Sequence, residues 1–493
     1  MTAHRLSSDD AHRAAAHELA DLDGLLARLA ASPALRGHDV RRLAVEEPPP
    51  IDLAPALADA LAHPVGSPAL RELALGRRSA VIITTDPTRA VPSRALLGPV
   101  MHELGRAGIA PQDVEVVIGA GAHRAARPDE IVEMLGEWAA RLRVSNHDAR
   151  AADLVQVGYT PRGTPLLLNR RVAAADLRIA FGQVEPHEFA GFTGGRKAIL
   201  PSVAGYETIV RNHSVEMLGH PLARPGVIDG NPVHQEMLAA ARLAGLHFIV
   251  NVALDSELRP LAVAAGDAQA AHEQLVAFVR RFSDLPVPAD PPAVIVTGPG
   301  RPLDINLYQT IKALVGIEPL LDAHRSGPSG ARGDRREPPA AASPAAGRAP
   351  VIVLLARCWD GSGADELFEP FARARARFAG NEWGDGGPPA HDVARAALTD
   401  LVGDFAIEKD ESYYVARITP KCRCLVACCP GVRDERLRAF GWEAAADPDE
   451  ALTRALQLAG APATDEPGGA RRPLVLFCPR PQRALFMAGA PSP

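Results

Sequence analysis

Cysteine is scarce, with six residues in a chain of 493, too few for a disulfide scaffold. No uninterrupted apolar run approaches the roughly 18 residues that would read as a membrane-spanning helix. The stretch 1–32 carries charges throughout and lacks the basic start and apolar block of a secretory signal. Neither sign of charge dominates: Lys and Arg number 53 against 59 Asp and Glu, for a formal net charge of −6. That balance argues against a large nucleic-acid or acidic-membrane footprint. The dinucleotide fingerprint GxGxxG, the P-loop GxxxxGK[ST] and the CxxC metal pair are also missing. These absences predict a soluble cytoplasmic protein with no nucleic-acid or membrane partner.

What the chain does have is apolar mass and punctuation. Hydrophobic residues make up 47% of it, which excludes wholesale disorder. At roughly 100–200 residues per domain the length suggests two to four domains. Its 45 prolines and 42 glycines mostly follow short apolar runs. SAVIITTDPTRAVP (79–92), VEVVIGAGAHR (114–124), LRIAFGQVEPHEFAGFTGGRK (177–197), AVIVTGPGRP (293–302) and VIVLLARCWDGSG (351–363) each pass from a strand-like stretch to a Gly/Pro-rich polar one. Ala/Leu-rich segments at helical spacing intervene. Strands alternating with helices predict an α/β fold with largely parallel sheets, whose ligands bind beyond the carboxyl ends of the strands.

The expected organisation is an N-terminal helical extension (1–45), an α/β domain (46–288) and a second α/β domain (289–493), the boundary lying near SDLPVPADPP (283–292). Residues 326–350 have Ala as their only apolar residue and no periodicity, and read as a flexible surface insertion. The cysteine-rich CRCLVACCP (422–430) alternates as a half-buried strand does.

The segment 182–213 is the richest in chemistry. His187, Gly191, Gly194, Gly195, Arg196 and Lys197 follow a strand within eleven positions. Adjacent glycines can form an anion-binding nest, and the two basic side chains suit phosphate. A plain Gly-rich turn with solvated basic residues fits the same spacing. His123 ends another strand, and two imidazoles at strand ends suit proton transfer near neutral pH; a loop histidine with no chemistry is the alternative. His213 follows Asn212 on a helical segment. Asp86 and Arg89 follow a third strand, where Arg89 suits a carboxylate and Asp86 a hydroxyl or Arg89 itself. An internal Asp–Arg turn is equally compatible. Gln309 and Lys312, spaced i, i+3 beside Tyr308, share a helical face that is either a binding face or a solvated one.

Together DPTR, GAGAHR, the long block PHEFAGFTGGRKAILPSVAG…NH and YQTIK resemble the nickel-pincer-dependent lactate racemase family, from about Ile83 to Lys312 and more weakly beyond. RCWDGSG resembles that family's second-domain loop only loosely. The resemblance implies two α/β domains with an active-site cleft between them. It implies a racemase or epimerase of a 2-hydroxy acid, lactate or a relative, working by reversible proton-coupled hydride transfer through a 2-keto acid. The implied cofactor is a nickel-pincer nucleotide, the nickel complex of pyridinium-3-thioamide-5-thiocarboxylic acid mononucleotide. Lys197 would carry it covalently and His213 would ligate the nickel, with Asp86, Gly194, Gly195 and Arg196 at further cofactor positions. His123 and His187 would be the catalytic bases, and Arg89, Tyr308, Gln309 and Lys312 the substrate contacts. Cofactor-maturation enzymes would be partners. A nicotinamide-dependent hydroxy-acid dehydrogenase and a non-catalytic ligand-binding homologue are the competing readings.

Overall fold

The computed structural model describes residues 15–325, 349–378, 388–460 and 472–487. Of the segment read as an insertion, 326–348 lie outside the described residues. Two compact units divide the chain: 46–283, and the residues up to 45 together with those from 284 onward. The N-terminal segment read as a separate extension therefore belongs to the second unit. It supplies helix α1 (Leu22–Ala30), capped by the Asp21 side chain on the Gly24 N–H, and strand β1 (Asp39–Arg42). Leu22, Leu25, Leu26 and Leu29 form one apolar stripe and are buried.

In the unit 46–283 the elements are β2 (Ala80–Thr85), α2 (Ser93–Arg106), β3 (Val114–Gly119), β4 (Arg143–Asn146), β5 (Leu177–Gln183), α3 (Tyr206–Asn212), α4 (Pro232–Leu243), β6 (Phe248–Leu254), β7 (Pro260–Gly266) and α5 (Ala270–Ser283). Six strands form one sheet in the order β7-β6-β5-β2-β3-β4. Every pair is parallel except β6 with β7. Parallel strands are covered on both faces, so their sequences read as continuous apolar runs. Ile82, Val116, Ile179, Phe181 and Val250 accordingly pack in one core with Leu96, Leu97, Val100 and Leu104 of α2. The chain steps outward from β2 to β4 and then returns to the other side of β2 with β5. Loops leaving β2 and β5 diverge there, and the crevice at such a reversal is where open α/β sheets bind ligands.

The second unit continues with β8 (Val294–Gly298), α6 (Leu307–Thr310), α7 (Lys312–Arg325), β9 (Val351–Leu355), α8 (Asp410–Ile418), β10 (Cys424–Cys428), β11 (Glu443–Ala444) and β12 (Leu474–Pro479). Its sheet runs β1-β12-β8-β9-β10-β11, all parallel. The cysteine-rich strand is β10, and it is interior rather than half-buried, because in a parallel sheet Leu425–Cys428 are covered from both faces. Burial pushes the Cys422 and Cys428 thiols up to about 12, the behaviour of structural thiols. Among the described residues no helix is long and apolar enough to cross a membrane.

Candidate active site

Asp86, Arg89, His123, His187 and Lys197 all lie beyond the carboxyl ends of the adjacent strands β3, β2 and β5. After β2, the Asp86 carboxylate accepts from the Thr88 N–H at 3.0 Å and the Thr88 hydroxyl at 2.6 Å, which folds DPTR into a side-chain-closed turn. Its other oxygen meets His123 Nδ1 at 2.7 Å. Burial works against the charge on Asp86, yet His123, Thr88 and Arg89 hold its carboxyl below the ordinary carboxylate range. An ionised carboxylate only accepts, so Nδ1–H donates and Nε2 is the basic nitrogen of His123. Asp86 thus orients an imidazole rather than Arg89, whose guanidinium donates to the Thr88 carbonyl at 3.1 Å. The His123 loop is tied to the loop after Lys197, since the Gly121 N–H donates to the Ser202 carbonyl at 3.0 Å.

After β5 the chain forms a tight antiparallel pairing of Pro186–His187 with Gly191–Phe192. His187 is 4% exposed. Its Nε2 lies 2.7 Å from Lys197 Nζ, and the Glu188 carboxylate lies 3.2 Å from its Nδ1. The Ala190 N–H also approaches Nδ1, at 3.5 Å, but the closer carboxylate and the amine on Nε2 agree on one tautomer, with Nδ1 protonated. The Phe189 ring meets His187 edge-on at 4.6 Å and His213 at 4.8 Å, with Lys197 Nζ 5.4 Å from its centre. One aromatic side chain thereby collects both histidines and the lysine. His213 ends α3, buried, with Nδ1 3.2 Å from the Ile209 carbonyl.

The nest expected at Gly194-Gly195-Arg196 turns inward instead. Both glycines have positive φ, +79° and +55°. The Gly195 N–H donates to Asn251 Oδ1 at 2.7 Å, and a Cβ at either position would come within 3 Å of Asn251 or His272. Close packing against β6 and α5 is what requires glycine here. Arg196 is fully buried, and its guanidinium donates to the carbonyls of Ala190, Thr193 and Gly194 and meets His272 Nε2 at 2.9 Å. Burial lowers it to about 9. It clamps the loop on which Lys197 sits with both Nη groups, while its buried Nε has no partner. His234, on α4 beside His272, is pushed down to about 3 by burial and then by Arg196; it is neutral at every working pH.

Tyr308, Gln309 and Lys312 lie in the second unit. A turn at Ile311 separates α6 from α7, so the i, i+3 pair spans two helices, yet both side chains are buried, Gln309 at 1% and Lys312 at 7% exposed. A solvated face is ruled out. The Tyr308 hydroxyl donates to Asp410 at 2.5 Å, and Lys312 Nζ lies 4.0 Å from the buried Glu411. RCWDGSG braces this segment: the Leu307 and Tyr308 N–H groups donate to the Gly361 and Ser362 carbonyls, and Arg357 grips Asp304 through two bonds. Glu188, Phe189, Asp410 and Glu411 escaped the sequence reading. One available signal went unused: of 53 Lys and Arg residues only four are Lys, at 197, 312, 409 and 421.

Residues 37–226 match the lactate racemase N-terminal domain. The chain is 38% identical over 263 residues to a lactate racemase of Lactiplantibacillus plantarum, a match spanning 52% of this chain and 61% of that protein. It is 35% identical over 319 residues to the lactate racemase of Thermoanaerobacterium thermosaccharolyticum, spanning 64% of this chain and 68% of that one. The chain belongs to the lactate racemase family. The solved lactate racemase apoprotein of T. thermosaccharolyticum has the same two-domain α/β fold, with a TM-score of 0.71 at 28% identity over 92% of this chain and 96% of that one. A Thermotoga maritima protein shares the fold at 16% identity, with a TM-score of 0.54 over 86% of this chain and 99% of its own. The matched lactate racemase domain contains Asp86, Arg89, His123, His187, Lys197 and His213 and ends before Tyr308.

Proposed function

We propose that this protein is an isomerase, a racemase or epimerase of lactate or a related 2-hydroxy acid, working on a nickel-pincer nucleotide tethered to Lys197. Two carboxylate-backed imidazoles at the carboxyl ends of one sheet, His123 on Asp86 and His187 beside Glu188, carry this reading. Inversion at a carbon bearing a hydroxyl needs a base on each side of the substrate plane, and one fixed histidine serves only one side.

The donor chemistry suits such a group. Among the described residues no three or more His, Cys, Asp or Glu side chains stand together to hold a metal. Around Phe189 there are one amine and separate imidazoles, which fit a nickel complex that brings most of its own ligands. Lys197 would hold it covalently and His213 would ligate the metal. The phosphate donors must be found elsewhere than in the Gly195 N–H and the Arg196 Nη groups, which are spent inside the protein.

When bound, the group supplies the hydride acceptor and donor. The protein's own share is acid–base and positional. His123 or His187, through Nε2, takes the substrate hydroxyl proton as the 2-keto acid forms, and the other histidine returns a proton after the keto acid turns over. Arg89 holds the carboxylate, and Tyr308, Gln309 and Lys312 are the substrate contacts that the family resemblance implies. Production with the cofactor-maturation enzymes, followed by intact mass, nickel analysis and a chiral assay over D- and L-2-hydroxy acids, tests this. The expected result is one mass increment on Lys197, bound nickel and interconversion of at least one enantiomeric pair. A wild-type protein without that increment or nickel overturns it.

A further inference from the structure

We propose that His187 is also the base that activates Lys197 for its covalent attachment, so that one imidazole first installs the group and later serves the substrate. This rests on the reading of Lys197 as the tether. The Lys197 amine lies 2.7 Å from His187 Nε2, and the carboxylate 3.2 Å from Nδ1 favours the tautomer that leaves Nε2 basic. An amine forms a bond to carbon only after losing its proton, and here the acceptor is already in contact with it.

The Phe189 ring stands 5.4 Å from Nζ and 4.6 Å from the His187 ring, so one aromatic side chain packs against both the amine and the imidazole. Arg196, the adjacent residue, is buried and bonds to carbonyls and an imidazole, which fixes the loop that presents Nζ to His187. The other three lysines lie beside carboxylates, Glu411 at 4.0 Å from Lys312, Glu369 at 3.0 Å from Lys409 and Glu318 at 2.8 Å from Lys421, and serve as references for Lys197. In a chain that uses arginine almost everywhere else, position 197 keeps the one basic side chain that can acylate.

The step balances without a redox partner. His187 Nε2 takes the Nζ proton, and the nitrogen lone pair forms the N–C bond to a thiocarboxylic acid carbon. The C–O bond breaks and the oxygen leaves as water, taking up the amine's remaining surplus proton and the one returned from His187. The amine and the thiocarboxylate yield a thioamide and water, and no electrons change hands.

Labelling of the full chain, produced without maturation enzymes, tests the idea independently of turnover. The probe is pyridoxal 5′-phosphate trapped with borohydride, a pyridine bearing a phosphate and an amine-reactive carbon, and peptide mass mapping reads each of the four lysines. Lys197 is expected to label fastest in the wild type. His187→Gln should slow it roughly 100-fold while Lys421 labels as before, and imidazole in the buffer should restore the rate in His187→Ala. Glu188→Gln, which keeps the imidazole, should fall between and shows that slowing is not misfolding. Equal Lys197 rates in the wild type and a folded His187→Gln overturn the proposal. With maturation enzymes present, a wild type that gains no increment sinks the proposed function. A wild type and His187→Gln that gain it equally fast sink only the role of His187.

Discussion

At the scale of single residues, Asp86 and Glu188 do different work from the groups they touch. Each stands at the Nδ1 of a histidine, fixing which nitrogen faces the reaction. Because Asp86 is held ionised, replacing it by Asn lets the His123 ring adopt either tautomer. Asp86→Asn should therefore lower racemisation by about 10-fold or more while nickel and the Lys197 mass increment stay; a chiral assay beside intact mass reads both. His123→Ala should cost roughly 10²- to 10⁴-fold in turnover, again with the increment retained, whereas His187→Ala should lose turnover and increment together. That split separates a histidine used only on substrate from one used twice. Sequence spacing brought out both histidines because each follows a strand. It missed the partner of each, because a short carboxylate beside a histidine in sequence, or 37 positions away, looks like any other.

At the scale of elements, charge is buried where it locks a loop or helix in place. Glu318 on α7 receives Arg417 and Lys421, and although burial opposes its charge, those two cations hold its carboxyl below the usual range. A carboxyl lowered in the fold stabilises it fully above its unfolded pKa, about 4.3, and that stabilisation is lost as pH falls through the lower folded value. Glu318→Gln leaves the half-buried Arg417 without its carboxylate, Lys421 keeping Asp322, and should cost about 3 kcal/mol at pH 7. Thermal unfolding should show the variant and wild type drawing together as pH falls below the unfolded value and through the lowered folded one. The Lys197 loop is locked by Arg196 in the same manner. Arg196→Leu would strand the buried Ala190 carbonyl, while Thr193 keeps His272 and Gly194 keeps the Lys197 N–H; a loss on the order of 1–3 kcal/mol follows, and urea unfolding of the variant measures it. GGRK looked like a phosphate site in sequence because a guanidinium pointing out and one pointing in are written with the same letter.

At the scale of the molecule, the chain leaves its second unit after residue 45 and returns at 284. The four buried leucines of α1 would contribute roughly 1.5–3 kcal/mol each on burial. Together they approach the whole stability of a typical domain, about 5–15 kcal/mol. Deleting residues 1–45 should therefore unfold the unit that carries Tyr308, Gln309 and Lys312, and leave 46–283 folded. Limited proteolysis with mass mapping distinguishes these outcomes, and equal protection of both units in the truncated protein would contradict the prediction.

By itself the sequence determined the α/β class, the parallel strands and the loops that carry chemistry. Strand-length apolar runs buried on both faces and glycine-rich strand ends are local patterns, written in consecutive residues. The PH-to-NH block also carried the family. Only the tertiary structure decided which way each polar group points. It sent Asp86 to His123, set Lys197 against His187 with Phe189 beside both, turned Arg196 into the loop's interior and returned the N-terminal helix and strand to the second unit. Those are long-range choices, settled by which buried donor finds which acceptor, and spacing along the chain does not encode them. The prolines and glycines show the division plainly: their clustering marks the loops in sequence, but at Gly194 and Gly195 the reason for them is a neighbouring strand and helix that only folding brings near.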